Sequence, residues 1–308
     1  MTKYKLFAFI LLCIASLAGT LFAAEFPVTV RDGLGRRVTV YRIPKRIVST
    51  VPSNTEILYD LGLKDKVIGV TAHCGKTCDI AGKKVMGGWA DRTALEKEIA
   101  DLRPDLVLAF GGLQAPLAEA MDKLNITTFV FFPKTVDETL EQILQVGRLT
   151  GKGAEAQAIV DKCQNNLKAL EEKLKDIPRE KRLKCLRLMS TEAMVIGGTS
   201  FQNDFIKRAG GINIFEDIRE DYPVVSLEEV RARDPQIIIL NHDDEQEAIA
   251  WFLAQPGWNE LRAAKEKRLI SVSCDYICHP NTRVDRTVEM LSQRFYLGKF
   301  TPIHKGKK

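Results

Sequence analysis

No charge of one sign dominates this 308-residue sequence: 45 Lys and Arg stand against 40 Asp and Glu, a formal net charge of +5. The basic excess is diffuse, which excludes an electrostatic nucleic-acid binder. Long hydrophobic runs are scarce too. The run near the start, Leu6 to Ala18, is shorter than the roughly 20 apolar residues that span a bilayer, so a polytopic membrane protein is excluded. Nucleotide and acyl-transfer signatures are missing. There is no Walker A sequence and no G-x-G-x-x-G behind a strand, and no G-x-S-x-G elbow. Gly111-Gly112, Gly197-Gly198 and Gly210-Gly211 sit at strand or helix ends and read as tight turns. Apolar residues make up 45% and charged residues 28%, which is neither disordered nor collagen-like. A chain of this length makes one large or two ordinary domains, and two of about 130 residues each bury a proper core.

The segment Met1–Ala24 carries Lys3 and Lys5, then the apolar run, then small residues, with no acidic residue. That is the order of a secretory signal peptide, with cleavage expected near Ala24 and a soluble, exported, periplasmic mature chain. Cys13 falls inside this leader, and Leu12 before it is not the small residue of a lipoprotein signal. Six cysteines remain: Cys74, Cys78, Cys163, Cys185, Cys274 and Cys278. An even count in an exported protein points to disulfides, in a pairing that sequence leaves open.

Short β-rich runs alternate with amphipathic stretches. Arg46–Val51, Val67–Thr71, Asp105–Phe110 and Ile126–Phe132 read as buried strands. Asn54–Leu61, Leu95–Leu102 and Leu113–Leu124 between them have helical spacing. The second half repeats the rhythm, with strands at Leu183–Met189, Met194–Ile196, Gln236–Leu240 and Leu269–Val272. Helices are expected around Asn203–Ala209, Leu227–Ala232, Glu245–Leu253 and Asp285–Tyr296. Such alternation predicts βαβ units and an α/β fold with largely parallel sheets. The phrases Ile99–Phe110 and Val230–Leu240 resemble each other, a helix end followed by a strand, which argues for two similar lobes.

From Gly151 to Ile177 there is no strand signal. Ile159, Cys163, Leu167, Leu170, Leu174 and Ile177 form one apolar stripe of a long helix, which Pro178 ends. At 1.5 Å per residue it reaches roughly 35 to 40 Å, enough to bridge two lobes as a strut. The expected organisation is a leader at 1–24, an N-terminal lobe at 25–150, a linking helix at 151–178 and a C-terminal lobe at 179–308.

Two Ser-x-x-Glu sequences, Ser53–Glu56 and Ser226–Glu229, each open a helix. Each suits a capping box; the sharper alternative is a docking glutamate on each lobe, Glu56 with Glu228 or Glu229. Two Cys-x3-Cys turns follow strands directly, where open α/β sheets hold their ligands. His73 precedes Cys74 and Cys78; His279 follows Cys274 and Cys278. Three readings stay open. The cysteines form disulfides within or between lobes. Alternatively, thiolates and imidazoles bind a metal. In the third, His73 and His279 are axial ligands to the metal of a bound chelate and the cysteines are structural. The spacing is not that of a thioredoxin motif. Cys163 on the helical stripe and Cys185 on the next strand either form a disulfide or are two buried thiols.

Arg46-Ile47-Val48-Ser49, Pro52-Ser53-Asn54-Thr55-Glu56, Leu61-Gly62-Leu63, Val67–Thr71, Leu102–Val107, Ala209–Phe215, Ser226-x-Glu228 and Asp234-Pro235 together resemble a known family. It comprises the periplasmic binding proteins of ABC transporters for iron chelates and cobalamin, whose two lobes are joined by one long helix. The resemblance covers nearly all of the mature chain. It implies that Glu56 and Glu228 dock on the two subunits of an inner-membrane ABC permease. It also implies that His73, Trp89, Asp275, Tyr276 and Arg283 face a ligand cleft. The Cys-x3-Cys turns depart from the family pattern at those cleft positions. The implied protein is a monomeric, non-catalytic carrier of a metal chelate with no intrinsic cofactor. A corrinoid is the first expectation and a ferric siderophore or haem the second. The rival of another class is a metallochaperone or redox protein in which the four cleft cysteines bind a bare soft metal.

Overall fold

The computed structural model describes residues 26–88, 91–190 and 193–296; the expected leader lies outside them. An antiparallel hairpin, β1 (Val28–Arg31) and β2 (Arg37–Val40), precedes the first lobe. That lobe runs β3 (Ile47–Ser49), α1 (Pro52–Asp60), β4 (Val67–Thr71), β5 (Lys84–Met86), α2 (Arg92–Leu102), β6 (Leu106–Phe110), α3 (Ala115–Lys123), β7 (Thr128–Phe131) and α4 (Val136–Leu149). The long helix α5 (Gly153–Leu174) follows. The second lobe begins with β8 (Leu183–Arg187), α6 (Phe201–Arg208), β9 (Gly211–Asn213), α7 (Leu227–Arg233) and β10 (Ile237–Leu240). It closes with α8 (Glu245–Ala254), α9 (Arg262–Lys265), β11 (Leu269–Ser271), α10 (Cys274–Ile277) and α11 (Val284–Phe295).

Each lobe is built on a parallel sheet, in the orders β5-β4-β3-β6-β7 and β11-β10-β8-β9. Helices cover both faces, so central strands such as Leu106–Phe110 and Ile237–Leu240 are apolar along almost their whole length. The two phrases that resemble each other fold alike. Helix α2 ends on Arg103 at φ 47° and α7 on Asp234 at φ 50°, both left-handed. Pro104 and Pro235 then forbid further helix, and β6 and β10 follow.

Helix α5 has 22 residues, about 33 Å at the usual rise. Its buried stripe is Ala156, Val160, Cys163, Leu167, Leu170 and Leu174, packed on α4 of one lobe and α11 of the other. The apolar spacing continues to Ile177, but the helix stops at Leu174, because Pro178 disfavours helical backbone just before it. One continuous cluster of buried side chains runs from Val28 in the hairpin, beneath α5, to Tyr296. The lobes are therefore seated on shared core.

Several elements escape sequence reading. The hairpin strands are half exposed, β5 and β9 have three residues each, and α4 was not anticipated at all. The strand expected at Met194–Ile196 is only a pair of isolated bridges, Leu188 to Val195 and Met194 to Val224.

Candidate functional site

In the first sheet β3 and β6 are neighbours from which the chain departs in opposite directions, which leaves a crevice at their carboxyl ends. Val51, Phe110, Leu113 and Phe132 line that crevice and face Phe201 and Tyr222 of the second lobe, around a cavity of about 580 Å³. Leu113 is 90% exposed, unusual for leucine unless something covers it. Gly111, at φ 68°, makes the left-handed turn that leaves β6 for this wall. Gly197 and Gly198 are not simple turns. A Cβ on either would come within 2.1 Å of a carbonyl oxygen, Glu220 O or Glu216 O, so glycine there permits close backbone packing. Across the cleft mouth Lys134 Nζ lies 4.0 Å from the Phe132 ring centroid and 2.7 Å from Asp221 Oδ2.

A second cavity of about 260 Å³ adjoins the first at Val51 and carries several ionisable side chains on its wall. His73 and Lys76 contribute from the turn after β4; Cys274, Asp275 and His279 contribute from α10 and its exit. The fold thus brings together His73, Cys274, Asp275 and His279, which are 200 residues apart in two groups. Ser273 caps α10 by accepting from Asp275 N at 3.3 Å, which presents Cys274 to the cleft. Tyr276 projects from the same turn and is 53% exposed. Trp89 lies outside the described residues.

Glu56 corrects the sequence reading. It is neither a surface docking charge nor a capping residue. Helix α1 starts at Pro52 with Val51 as N-cap and no side-chain cap, so Ser53 and Glu56 both fall inside the helix. The Glu56 side chain is 2% exposed and meets a loop of the second lobe. Arg283 Nη2 lies 2.9 Å from Oε2, Asn281 Nδ2 donates to the same oxygen, and His279 Nδ1 lies 3.4 Å from Oε1. Thr282 Oγ1 donates to Asp60 one turn further on. Burial alone would push the Glu56 carboxyl up. The neighbouring His279 and Thr77 and the Arg283 charge outweigh it and hold the carboxyl below its ordinary value. Arg283 is accordingly a lobe clasp rather than a cleft cation. His279 lines the cavity with Nδ1 turned to Glu56, which leaves only Nε2 for a ligand.

The other Ser-x-x-Glu behaves as a capping box. Ser226 Oγ accepts from Glu229 N at 3.2 Å, and Glu229 Oε2 accepts from Ser226 N at 2.7 Å. That occupies Glu229 and leaves Glu228 as the exposed carboxylate of α7.

Among the described residues no disulfide is formed, and the six cysteines there are free. Cys163 donates to Thr282 O at 3.3 Å, and Cys185, inside the second sheet, donates to Leu183 O at 3.3 Å. Each thiol has its own partner, and burial pushes both up to about 12. Cys74 is buried against Thr71 Oγ1 at 3.4 Å. Cys78, half buried near Glu56, is pushed up to about 11 by burial, against the lowering effect of its hydrogen bond with Thr77. Cys274 is exposed to the cleft. The neighbouring Cys278 thiol, and the charges of His279 and Arg187 against the cost of burial, bring it down to about 6. The neighbouring Cys274 and burial raise Cys278 far above its ordinary value. A four-thiolate centre is not assembled. Among the described residues no group of three His, Cys, Asp or Glu converges as a bare metal ion requires.

Sequence reading did not anticipate the apolar wall or Arg187. Arg187 ends strand β8 and is fully buried; a charge followed directly by Leu188 and Met189 was the available signal. Leu113 just after Gly111-Gly112 was another.

A family model described as periplasmic binding protein matches residues 47–275, and the chain belongs to that family. An ABC transporter substrate-binding lipoprotein of Bacillus subtilis, YvrC, is 28% identical over 281 residues, 89% of this chain and 87% of that protein. A cobalamin-binding protein of Halobacterium salinarum is 27% identical over 282 residues, 89% of this chain and 75% of that one. The solved structure of the periplasmic vitamin B12 binding protein BtuF of Vibrio cholerae superposes with a TM-score of 0.71. The match covers 84% of this chain and 99% of that one at 23% identity, a likeness of fold. Among the described residues no helix is long and apolar enough to cross a membrane.

Proposed function

We propose that the protein is a periplasmic carrier that captures a corrinoid between its lobes and hands it to an inner-membrane ABC importer. One observation carries the choice of ligand: an apolar wall, Phe110, Leu113, Phe132, Phe201 and Tyr222, runs into a small cavity holding His73 and Cys274. A broad, largely apolar macrocycle with a metal at its centre requires both parts side by side. Charge points the same way. A polyanionic ferric chelate needs surplus cations, yet Lys134 is matched by Asp221 and Arg283 by Glu56, and the small cavity holds Asp275 as well as Lys76. The cleft suits a chelate of little net negative charge. Resemblance to a cobalamin-binding protein supports this reading.

Docking on the permease falls to Glu228, exposed at the start of α7, since Glu56 is buried. The shared core and the Glu56 clasp favour a largely pre-formed cleft, with little change of lobe separation on binding. The test is equilibrium dialysis of cobinamide and cobalamin against the mature protein and its Leu113→Asp variant. Saturable binding that weakens in the variant is expected. Absence of binding, together with saturable uptake of a ferric siderophore, overturns the corrinoid assignment. Retained affinity with lost vesicle uptake on Glu228→Lys is the expected signature of docking.

A further inference from the structure

Strand β8 ends on a charge that the fold does not neutralise. Arg187 has no solvent exposure, and a guanidinium cannot lose its proton in a protein. Its Nε donates to Gln202 Oε1 at 3.1 Å, and Nη1 to Leu188 O at 3.0 Å and Ile239 O at 3.5 Å. All three acceptors are neutral. Nη2 reaches only the sulfur of Cys278, at 3.9 Å. Among the described residues no carboxylate is a partner of this guanidinium. A buried cation ordinarily has an anion beside it, because that attraction offsets the loss of water. Its position decides what the charge can act on. Gln202 lies in the first turn of α6, directly behind Ser200 and Phe201 of the large cavity. Cys278 ends α10, whose first residue, Cys274, lines the small cavity. The guanidinium thus sits in the wall that the second lobe presents to both cavities. Other charges there are opposed: Lys134 by Asp221, which also accepts from Thr199 Oγ1 at 2.7 Å, and Lys76 by Asp275 across the small cavity. The Arg187 charge is left over.

We infer that Arg187 is a specificity determinant: its buried charge favours a chelate that carries one anionic side group, a phosphodiester, over the same macrocycle without it. This rests on the corrinoid reading above and divides that ligand class in two, corrinoids with a phosphodiester-linked nucleotide arm and corrinoids lacking the arm. Direct contact is not required. A charge held beneath a cleft wall acts through a medium of lower dielectric constant than water, and salt screens it less than a surface charge. The ligand then supplies the counter-charge that the fold omits, so the cost of burying Arg187 is partly recovered only when the anionic arm is bound. A single leftover cation also matches a single phosphodiester. A polyanionic chelate would bring several charges to meet one.

The experiment is equilibrium dialysis of cyanocobalamin, which has the phosphodiester, and dicyanocobinamide, which lacks it, against the mature protein and two variants. Both ligands are neutral overall, so the comparison reads where the charge sits. Gln202→Glu is nearly isosteric and sets a carboxylate where Oε1 now lies, 3.1 Å from Nε, giving the guanidinium a counter-charge inside the protein. Arg187→Met removes the charge and keeps much of the side-chain length. Wild-type protein should bind cyanocobalamin about tenfold more tightly than dicyanocobinamide, the size of one charge pair several ångströms apart in a protein wall. Each variant should shrink that ratio severalfold by weakening cyanocobalamin and leaving dicyanocobinamide nearly as it was. Gln202→Glu should also melt at or above the wild-type temperature, and it carries the test alone should Arg187→Met fail to fold. A wild-type ratio near one, a ratio that survives in Gln202→Glu, or a lower melting temperature of that variant overturns the role of Arg187 and leaves the carrier reading intact. Binding of neither corrinoid overturns both.

Discussion

The two Cys-x3-Cys turns have the same spacing, each follow a strand of a parallel sheet and each carry a histidine, yet they differ in chemistry. In the first, Cys74 is buried in the core and Cys78 is held protonated, pushed up to about 11. In the second, Cys274 is exposed and brought down to about 6. What lies beneath them accounts for part of the difference. Cys78 sits near the buried carboxylate of Glu56, which adds to the effect of burial, while Cys274 and Cys278 sit on the buried guanidinium of Arg187. A local pattern builds the turn, but a residue about twenty positions away or nearly ninety positions away sets the charge that the sulfurs feel.

The largest effect should come from removing the anion beneath the first turn. Glu56→Ala leaves Arg283, Asn281 and His279 without their partner, and breaking a buried ion pair of this kind costs about 3 kcal/mol. Urea unfolding should show it as a lower midpoint with little change in slope; an unchanged midpoint would mean the clasp contributes nothing. Its pH dependence has a definite sign. The folded-state carboxyl value lies below the unfolded one. The contribution is therefore complete above the unfolded value of about 4.3 and is lost as pH falls through the folded value. The stability gap between wild type and Glu56→Gln should hold from pH 7 to pH 5 and close in stronger acid. A gap that widens on acidification would reverse the assignment.

Next comes the contrast between the thiols themselves. At pH 7 the thiolate fractions of Cys274 and Cys78 differ by about four powers of ten, and the lower intrinsic nucleophilicity of the more acidic thiol takes back about two. Mass-spectrometric alkylation with iodoacetamide should therefore label Cys274 about a hundredfold faster than Cys78. Replacing Arg187 by Gln should slow Cys274 and leave Cys78 as it was. Equal rates in the wild-type protein would erase the difference between the turns.

The smallest effect belongs to the other repeated motif. Ser226→Ala removes a working helix cap and should cost about 1 kcal/mol. Glu228→Ala, on the exposed face beside it, should change stability by less than about 0.5 kcal/mol. Thermal melts of the two variants make the comparison, and a larger loss for Glu228→Ala would show that it is not a free surface charge.

Much of the architecture was legible because its signals are local. Apolar runs of strand length, helical spacing between them and Pro104 and Pro235 after two helix ends mark two parallel-sheet lobes. The stripe from Cys163 to Leu174 marks the long helix. That His73, Cys274, Asp275 and His279 would meet around one cavity was legible because they follow strands, where such folds open. Glu56 was misread because the same four letters, Ser-x-x-Glu, start one helix and lie inside another. Pro52 moved the helix start back, and only the position of the second-lobe loop shows that the carboxylate is covered. Arg187 and the apolar wall were missed for a related reason. A charge in a strand and a leucine in a turn acquire meaning only from their neighbours across the fold. The sequence by itself determined most of the longer elements, their order and the class of fold, since backbone propensity and hydrophobic period act over a few residues. The tertiary structure alone decided which glutamate is a clasp and which thiol carries charge, because desolvation and Coulomb interactions depend on distances in space that spacing along the chain does not encode.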